Sequence, residues 1–201
     1  MPSVAENKQN KRLRILDSAF ELFMQRSVNS TAIDDVVKAA GVAKGTFYLY
    51  FKDKYDLLNQ LIVNKSMGLL RQAYREAFAD PDAPIQAQML CFVDSVIDAL
   101  ERNQPFTALL EKNFSRCFQS ILNSEDPAVR DSVDVLLRRM EAGGFDRDRA
   151  LHTLYLITDL TGSVCFDAIV LQKPFALPEI RPALRAAIAA IMKEGGGAHD
   201  Q

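Results

Sequence analysis

The spacing of apolar residues along the chain predicts helices almost throughout, whereas the two-residue alternation typical of strands is scarce. In the first predicted helix, over residues 8–26, Leu13, Leu16, Phe20 and Phe23 recur every three or four positions and therefore share one face. Two short helices follow, and after them the pattern predicts longer helices over residues 54–78, 85–102, 105–122, 126–141, 146–171 and 178–193. We therefore expect an all-α fold of about nine helices.

The first of the two short helices follows Thr31. A threonine with Asp34 three residues later is typical of a helix N-cap, in which each side chain accepts from a backbone N–H near the other. Apolar Ile33 and Val36 then occupy one side of the helix. Gly41 comes directly after it, where a glycine suits a left-handed ending. The pattern predicts a short capped helix that ends in a tight turn.

The second short helix is predicted from Lys44 to Tyr50, and Asp53 is expected to cap the long helix that follows it. Phe47 and Phe51 are four residues apart and should both point into the core. Two short helices joined by a tight turn form a helix-turn-helix, a motif that places its second helix in the major groove of DNA.

The residues of the second short helix that do not face the core are available for DNA. We expect Lys44, Gly45, Tyr48 and Leu49 to face the bases, because the first residues of a recognition helix reach furthest into the groove. Hydroxyl and basic side chains around them suit phosphate contacts, which position a protein without reading sequence. These are Thr31, Thr46, Tyr50, Lys52 and Lys54. For any single one of them, an ordinary solvated side chain is the alternative.

Residues 31–58 resemble the signature of the TetR family of bacterial transcriptional regulators. The resemblance rests on Thr31, Ile33, Val36, residues 39–42, 44–48, 50–54 and 57–58. It implies an all-helical homodimer with two domains, here divided at residues 1–53 and 54–201. The first domain would bind a palindromic operator, and the second would hold a small-molecule effector whose binding releases the DNA. Ala43 departs from the pattern, because many members have serine there; that DNA contact is either missing or supplied by Thr46.

Two segments of the second domain are candidates for the dimer interface. Residues 151–171 are apolar on nearly every side, with Asp159 and Asp167 as the only charges, and residues 179–193 are apolar and rich in alanine. A helix that is apolar all round must be buried all round. A second copy of the chain could cover these helices in a four-helix bundle. The alternative is that both are internal core.

The effector site is predicted only loosely. Aromatic, sulfur-containing and isolated polar residues on the central helices could line it, and they point to a small, largely apolar molecule. The candidates are Phe92, Phe114, Cys117, Phe118, His152, Tyr155, Thr158 and Phe166. Aromatic residues at helical spacing are also typical of plain core. A regulator without a small-molecule pocket, controlled by a protein partner or by cysteine oxidation, is therefore the alternative.

The charge is divided between the two parts of the chain. The net charge is −2, yet residues 1–55 carry nine Lys and Arg against six Asp and Glu, so the remainder is acidic. This division suits an N-terminal part that faces phosphates. No run of about 18 apolar residues and no apolar leader occurs, which predicts a cytoplasmic protein without a membrane span.

The sequence offers little for chemistry beyond binding. Cys91, Cys117 and Cys165 lie far apart, which argues against a disulfide framework. The two histidines show no metal-ligand spacing, and neither a phosphate-binding loop nor a nucleophile motif occurs. We therefore expect no metal, no cofactor and no enzymatic activity.

Overall fold

The computed structural model describes residues 4–110 and 114–195, which contain ten α-helices and no strand. The predicted all-α fold is confirmed. The number of helices differs because the segment predicted as one helix over 105–122 comprises α6 and α7, which are separated by residues outside the described part. The helices are α1 Val4–Arg26, α2 Ile33–Ala40, α3 Lys44–Tyr48, α4 Lys54–Ala77, α5 Ile85–Arg102, α6 Gln104–Leu110, α7 Phe114–Leu122, α8 Pro127–Ala142, α9 Arg147–Cys165 and α10 Leu177–Gly195. A π-helix, Phe166–Leu171, continues α9.

The chain forms two compact units, Met1–Lys65 and Ser66–Gln201, so the division falls inside α4 and not at residue 53. The reason is that the first half of α4 belongs to the core of the first unit. Leu57 and Leu61 are fully buried there. Side chains also tie this half to α1, since Arg12 donates to Gln60 with an N–O distance of 2.8 Å. The first half of α4 is therefore part of the first unit.

Helix α2 starts one residue later than its predicted cap. Ala32 is the N-cap residue, and its N–H donates to Asp35 and not to Asp34. The predicted cap by Thr31 is wrong because the Thr31 hydroxyl donates instead to the carbonyl of Ser27, at 2.7 Å. The end of α2 follows the prediction. Gly41 has a left-handed φ of 63°, and the N–H of Val42 donates to the carbonyl of Val37.

The second unit is built around α9, which contacts α5, α7, α8 and α10. Asp146 caps α9 by accepting from the N–H of Arg149. Buried Ala150, Leu154 and Ile157 form its inner face. Arg181 of α10 forms ion pairs with Asp94 and Asp98 of α5, at 3.1 and 2.6 Å. Four helices of its own unit therefore cover part of the surface of α9.

The stretch Arg147–Leu171 is long and apolar enough to cross a membrane, with a mean hydropathy of 1.6. This is weak support for a membrane span, because core helices of soluble proteins have the same length and composition. Only 39% of its most apolar part is buried within the chain. Tyr155 and Leu156 are among its exposed residues. An apolar face of α9 thus remains uncovered in the single chain.

Candidate nucleic-acid interface and ligand cavity

Helix α3 has one buried side and one exposed side. Phe47 and Phe51 are buried, and their ring centroids are 5.4 Å apart, as the four-residue spacing predicts. In contrast, Tyr48 is 53% exposed and Leu49 is 74% exposed. The two phenylalanines fix the helix on the core of the first unit, so that the tyrosine and the leucine point into solvent. Large apolar side chains held outward on a short helix are available to a partner surface.

The start of α3 carries an exposed lysine beside a glycine. Lys44 and Gly45 are exposed and Thr46 is half-buried. A Cβ added to Gly45 would have no atom within 4 Å, so that the backbone is open to close approach at this position. The Lys44 ammonium lies 2.7 Å from Asp34 of α2. The hydrogen bond and the charge of Asp34 raise the pKa of Lys44, which therefore keeps its positive charge.

Replacement of Asp34 by asparagine should strengthen the binding of DNA about two- to fivefold, the usual worth of one exposed charge. The carboxylate competes with phosphate or base oxygens for Lys44, and it adds a negative charge beside that lysine. Fluorescence anisotropy at low salt measures the effect, which should shrink as salt is added. Asp17→Asn is the matched control, because this exposed aspartate pairs with Lys65 of α4. Equal affinities of Asp34→Asn and the natural protein would contradict the prediction.

The expected phosphate contacts divide into residues that are available and residues that are already engaged. Lys52 is exposed, and Tyr50 is half-buried. Lys54 donates from its ammonium to the carbonyls of Asn29 and Thr31, both at 3.1 Å, which leaves one N–H for another acceptor. Thr31 is only 1% exposed and its hydroxyl is bonded to Ser27. The Thr31 hydroxyl thus supports the turn before α2, and the contact of Thr31 with DNA stays a prediction.

A cavity of about 110 Å³ lies inside the second unit, among α4, α5, α6, α7 and α9. Five of the eight residues predicted from the sequence line it, namely Phe92, Phe114, Cys117, Phe118 and Thr158. A wider cavity of about 370 Å³ shares part of this wall, including Phe92, Phe118 and Thr158. Arg71, Arg75 and Asp131 are among the other residues of the wider cavity.

Three predicted residues do not line either cavity. His152 and Tyr155 are exposed on α9. The ring of Tyr155 lies near the cavity-lining Phe118, with the two ring centroids 6.0 Å apart. Phe166 is the first residue of the π-helix.

Sequence reasoning missed Thr161 and Gly162, which also line the smaller cavity. Gly162 permits a close packing contact, because an added Cβ would lie 2.1 Å from Cγ of Phe114. A lone threonine and a lone glycine in an apolar helix give no sequence signal for a cavity wall. Asp34 was likewise missed as the partner of Lys44, since the two belong to different helices. Among the described residues, no group of three His, Cys, Asp or Glu side chains could hold a metal ion.

The three cysteines differ sharply in accessibility. Cys91 is exposed, whereas Cys117 is half-buried in the cavity wall with its sulfur 3.4 Å from the Ser66 hydroxyl. Burial raises the pKa of Cys117. Cys165 is fully buried, and burial raises its pKa from 9.0 to about 12. Only a thiolate reacts readily, so these environments suppress the chemistry of the two inner thiols.

We expect a thiol reagent at pH 8 to modify Cys91 rapidly, Cys117 slowly and Cys165 only after unfolding. Mass spectrometry of the labelled chain over time gives the order. The burial of Cys165 should also make the free energy of unfolding depend on pH in alkaline solution. The unfolded chain loses the Cys165 proton near pH 9, so this contribution to the free energy of unfolding is present below pH 9 and is lost as the pH rises towards 12. Rapid labelling of Cys165 in the folded protein would contradict this and would favour control by oxidation.

Residues 15–61 match the family model described as "Bacterial regulatory proteins, tetR family". Over 115 residues the chain is 32% identical to the HTH-type transcriptional regulator AcrR of Shigella flexneri; the match covers 56% of this chain and 52% of that protein. The chain thus spans about half the length of this relative. It is 27% identical over 150 residues to the HTH-type transcriptional repressor KstR2 of Rhodococcus jostii, covering 65% of this chain and 73% of that one.

The fold as a whole is similar to solved structures. One is the transcriptional regulator FadR from Bacillus subtilis in complex with stearoyl-CoA, with a TM-score of 0.52 and 18% identity; the match covers 93% of this chain and 99% of FadR. At this identity the likeness concerns the fold alone. The family model matches the part of the chain that contains α2, the turn at Gly41 and α3.

Proposed function

This chain belongs to the TetR family of bacterial regulatory proteins, and on that premise we propose that it is a homodimeric transcriptional repressor, which a small, largely apolar effector releases from a palindromic operator. The role is one of binding and not of catalysis, and it would be performed in the cytoplasm. The observation that carries the proposal is the outward face of α3. Tyr48 and Leu49 are exposed there while Phe47 and Phe51 anchor the helix from behind.

The exposed face of α3 has the side chains that a major-groove reader needs. Tyr48 and Leu49 can make apolar contacts with bases, and Lys44 can bond a guanine edge or a phosphate. Gly45 leaves room for the helix start to approach the groove. Lys52 and the remaining N–H of Lys54 suit the flanking phosphates, which would fix the position of the helix.

The uncovered faces of α9 and α10 support a dimer. Leu156 of α9 is half exposed in the single chain. On α10, exposed alanines recur at helical spacing, at positions 183, 186, 187 and 190. Small residues let helices approach closely, and a two-fold pairing of α9 and α10 with their copies would form a four-helix interface. We expect such a dimer to bind the two half-sites of a palindrome through its two copies of α3.

The cavity in the second unit supports regulation by a ligand. Its wall is mostly aromatic and aliphatic, and α4 contributes Ser66, Leu69 and Leu70 to it. The same helix contributes Leu57 and Leu61 to the core of the first unit. A ligand that binds differently to the DNA-bound and free forms of the protein would shift the operator equilibrium by that difference.

Selection of double-stranded DNA from a random library with the full-length chain tests the proposal. We expect a palindrome whose half-sites lie about 10–10.5 base pairs apart, or a multiple of that distance. Analytical ultracentrifugation should give the mass of a dimer. A thermal-shift screen of apolar compounds, followed by anisotropy with the selected operator, then tests release. Recovery of unrelated sequences with no enrichment would contradict operator recognition, and a monomer at micromolar concentration would contradict the dimer.

A further inference from the structure

The wider cavity of the second unit differs from the smaller one in its charged residues. No charged residue is among the described residues that line the smaller cavity. The wider cavity, of about 370 Å³, is lined by Arg71 and Arg75 of α4 and by Asp131 of α8. The two cavities share Phe92 and Phe118 in their walls. The wider cavity therefore combines an apolar wall with positive charge.

The two arginines lie at the opening of the wider cavity. Arg71 and Arg75 are four residues apart, so they share one face of α4. Both line the cavity and both are exposed to solvent. Long basic side chains in this position cover apolar surface with their stems and keep their charged ends in water. A polar group bound between the two guanidinium groups would keep part of its hydration.

The charges of the two arginines are available to a ligand. Within the described part of the chain, Arg71 has no hydrogen bond or ion pair, and Arg75 donates one of its five N–H groups to Gln72. Glu76, the carboxylate next to Arg75 in sequence, does not line the cavity and accepts from Gln72. Asp131 is the one acidic residue among the described lining, so two positive charges and one negative charge give a net charge of +1.

We propose that the wider cavity binds a molecule with one carboxylate and an apolar chain of about ten to twelve carbons. The carboxylate would lie at Arg71 and Arg75, because a guanidinium matches a carboxylate with two parallel hydrogen bonds. The chain would pack on apolar residues such as Leu70, Leu136 and Leu154. The volume is about two and a half times that of a cavity that accepts benzene, which leaves room for about fifteen non-hydrogen atoms. The role of this ligand as the effector rests on the proposed function, whereas its binding does not.

Calorimetry with the full-length chain tests the preference for a negative charge. The probes are decanoate, decanol and decylamine, which share a ten-carbon chain and at pH 7 carry a negative charge, no charge and a positive charge. All three are used below the concentrations at which they form micelles. Decanoate should bind about tenfold more tightly than decanol, and decylamine should bind least. The preference should shrink as salt is added, because the arginines are exposed.

Substitutions of the charged lining residues test where the carboxylate binds. Arg71→Gln and Arg75→Gln should each weaken the binding of decanoate about three- to fivefold and leave the affinity for decanol unchanged. Asp131→Asn should act in the opposite direction, because it strengthens the binding of decanoate and weakens that of decylamine. Arg138→Gln is the matched control, since this exposed arginine of α8 lines neither cavity. Thermal unfolding without ligand shows that each variant is folded.

The inference is overturned if decanoate does not bind, if decanol binds as tightly as decanoate, or if the double variant of Arg71 and Arg75 keeps the preference for decanoate. Anisotropy with the selected operator separates this inference from the proposed function. Decanoate that binds at the two arginines without releasing DNA would support the ligand class and contradict its role as the effector. Release of DNA by an uncharged compound, with no binding of decanoate, would support effector control and overturn the carboxylate ligand.

Discussion

Substitution of Gly41 by alanine is expected to lower the free energy of unfolding by about 2 kcal/mol. Gly41 has a φ of 63°, and a residue with a Cβ in this left-handed conformation costs roughly 1–2 kcal/mol. The new Cβ would also lie 2.7 Å from Nη2 of Arg14. That guanidinium donates to the carbonyl of Ala40, so its displacement removes a hydrogen bond at the end of α2.

Urea denaturation followed by circular dichroism measures the loss, and hydrogen exchange of the α2 amides shows where it acts. Gly45→Ala is the matched control, because Gly45 lies in α3 and a Cβ there meets no atom within 4 Å. Alanine should be neutral at this position or stabilise by roughly 0.5–1 kcal/mol. Equal stabilities of Gly41→Ala and Gly45→Ala would show that the turn does not depend on the left-handed glycine.

Replacement of Tyr48 by alanine should weaken operator binding at least tenfold and leave the dimer folded. The side chain is more than half exposed and its ring meets Phe47 only edge-on, with centroids 5.2 Å apart, so little packing is lost. A good base contact contributes roughly 1–3 kcal/mol, and a dimer loses it in both half-sites. Anisotropy with the selected operator measures the affinity. Phe175→Ala, which removes a comparably exposed aromatic ring from the second unit, should leave it unchanged.

A substitution of Lys52 distinguishes residues that contact bases from residues that contact phosphates. Lys52→Ala should weaken binding to the operator and to unrelated DNA alike, and it should lower the slope of log affinity against log salt by about one unit per lysine contact. Tyr48→Ala should instead reduce the preference for the operator over unrelated DNA. If both variants lost affinity uniformly across sequences, Tyr48 would be a phosphate contact, and base readout would have to come from other residues of α3.

The helix-turn-helix could be predicted from sequence because its determinants are local. Gly41 and the Phe47–Phe51 spacing act within a few residues, and both behave as predicted. The start of α2 was harder, because Thr31 can cap a helix or bond back to the preceding turn, and only the position of the Ser27 carbonyl decides between the two. Lys54 is a second example, because a lysine at the start of a helix predicts a phosphate contact. The sequence does not show that its ammonium already donates to the carbonyls of Asn29 and Thr31.

The ligand cavity depends on tertiary packing and was predicted only in part. Helical periodicity groups Phe114, Cys117 and Phe118 on one face of α7, and all three line the cavity. Helical periodicity does not show which stretch of α9 lies opposite this face. The predicted cavity lining therefore contains Tyr155, which is exposed, and omits Thr161, which lines the cavity. The compact units likewise divide within α4, because a single continuous helix carries core residues of both.

The contact between Phe114 and Gly162 sets the size of the cavity in the second unit. The absence of one side chain on α9 allows the phenylalanine ring to pack against the helix backbone, where it forms part of the cavity wall. Substitutions that shorten the side chain at position 114 would enlarge the chamber without touching α3 or its exposed face. If the proposed effector binds in this cavity, one substitution at position 114 would therefore change which effectors fit and leave the recognition of DNA unchanged.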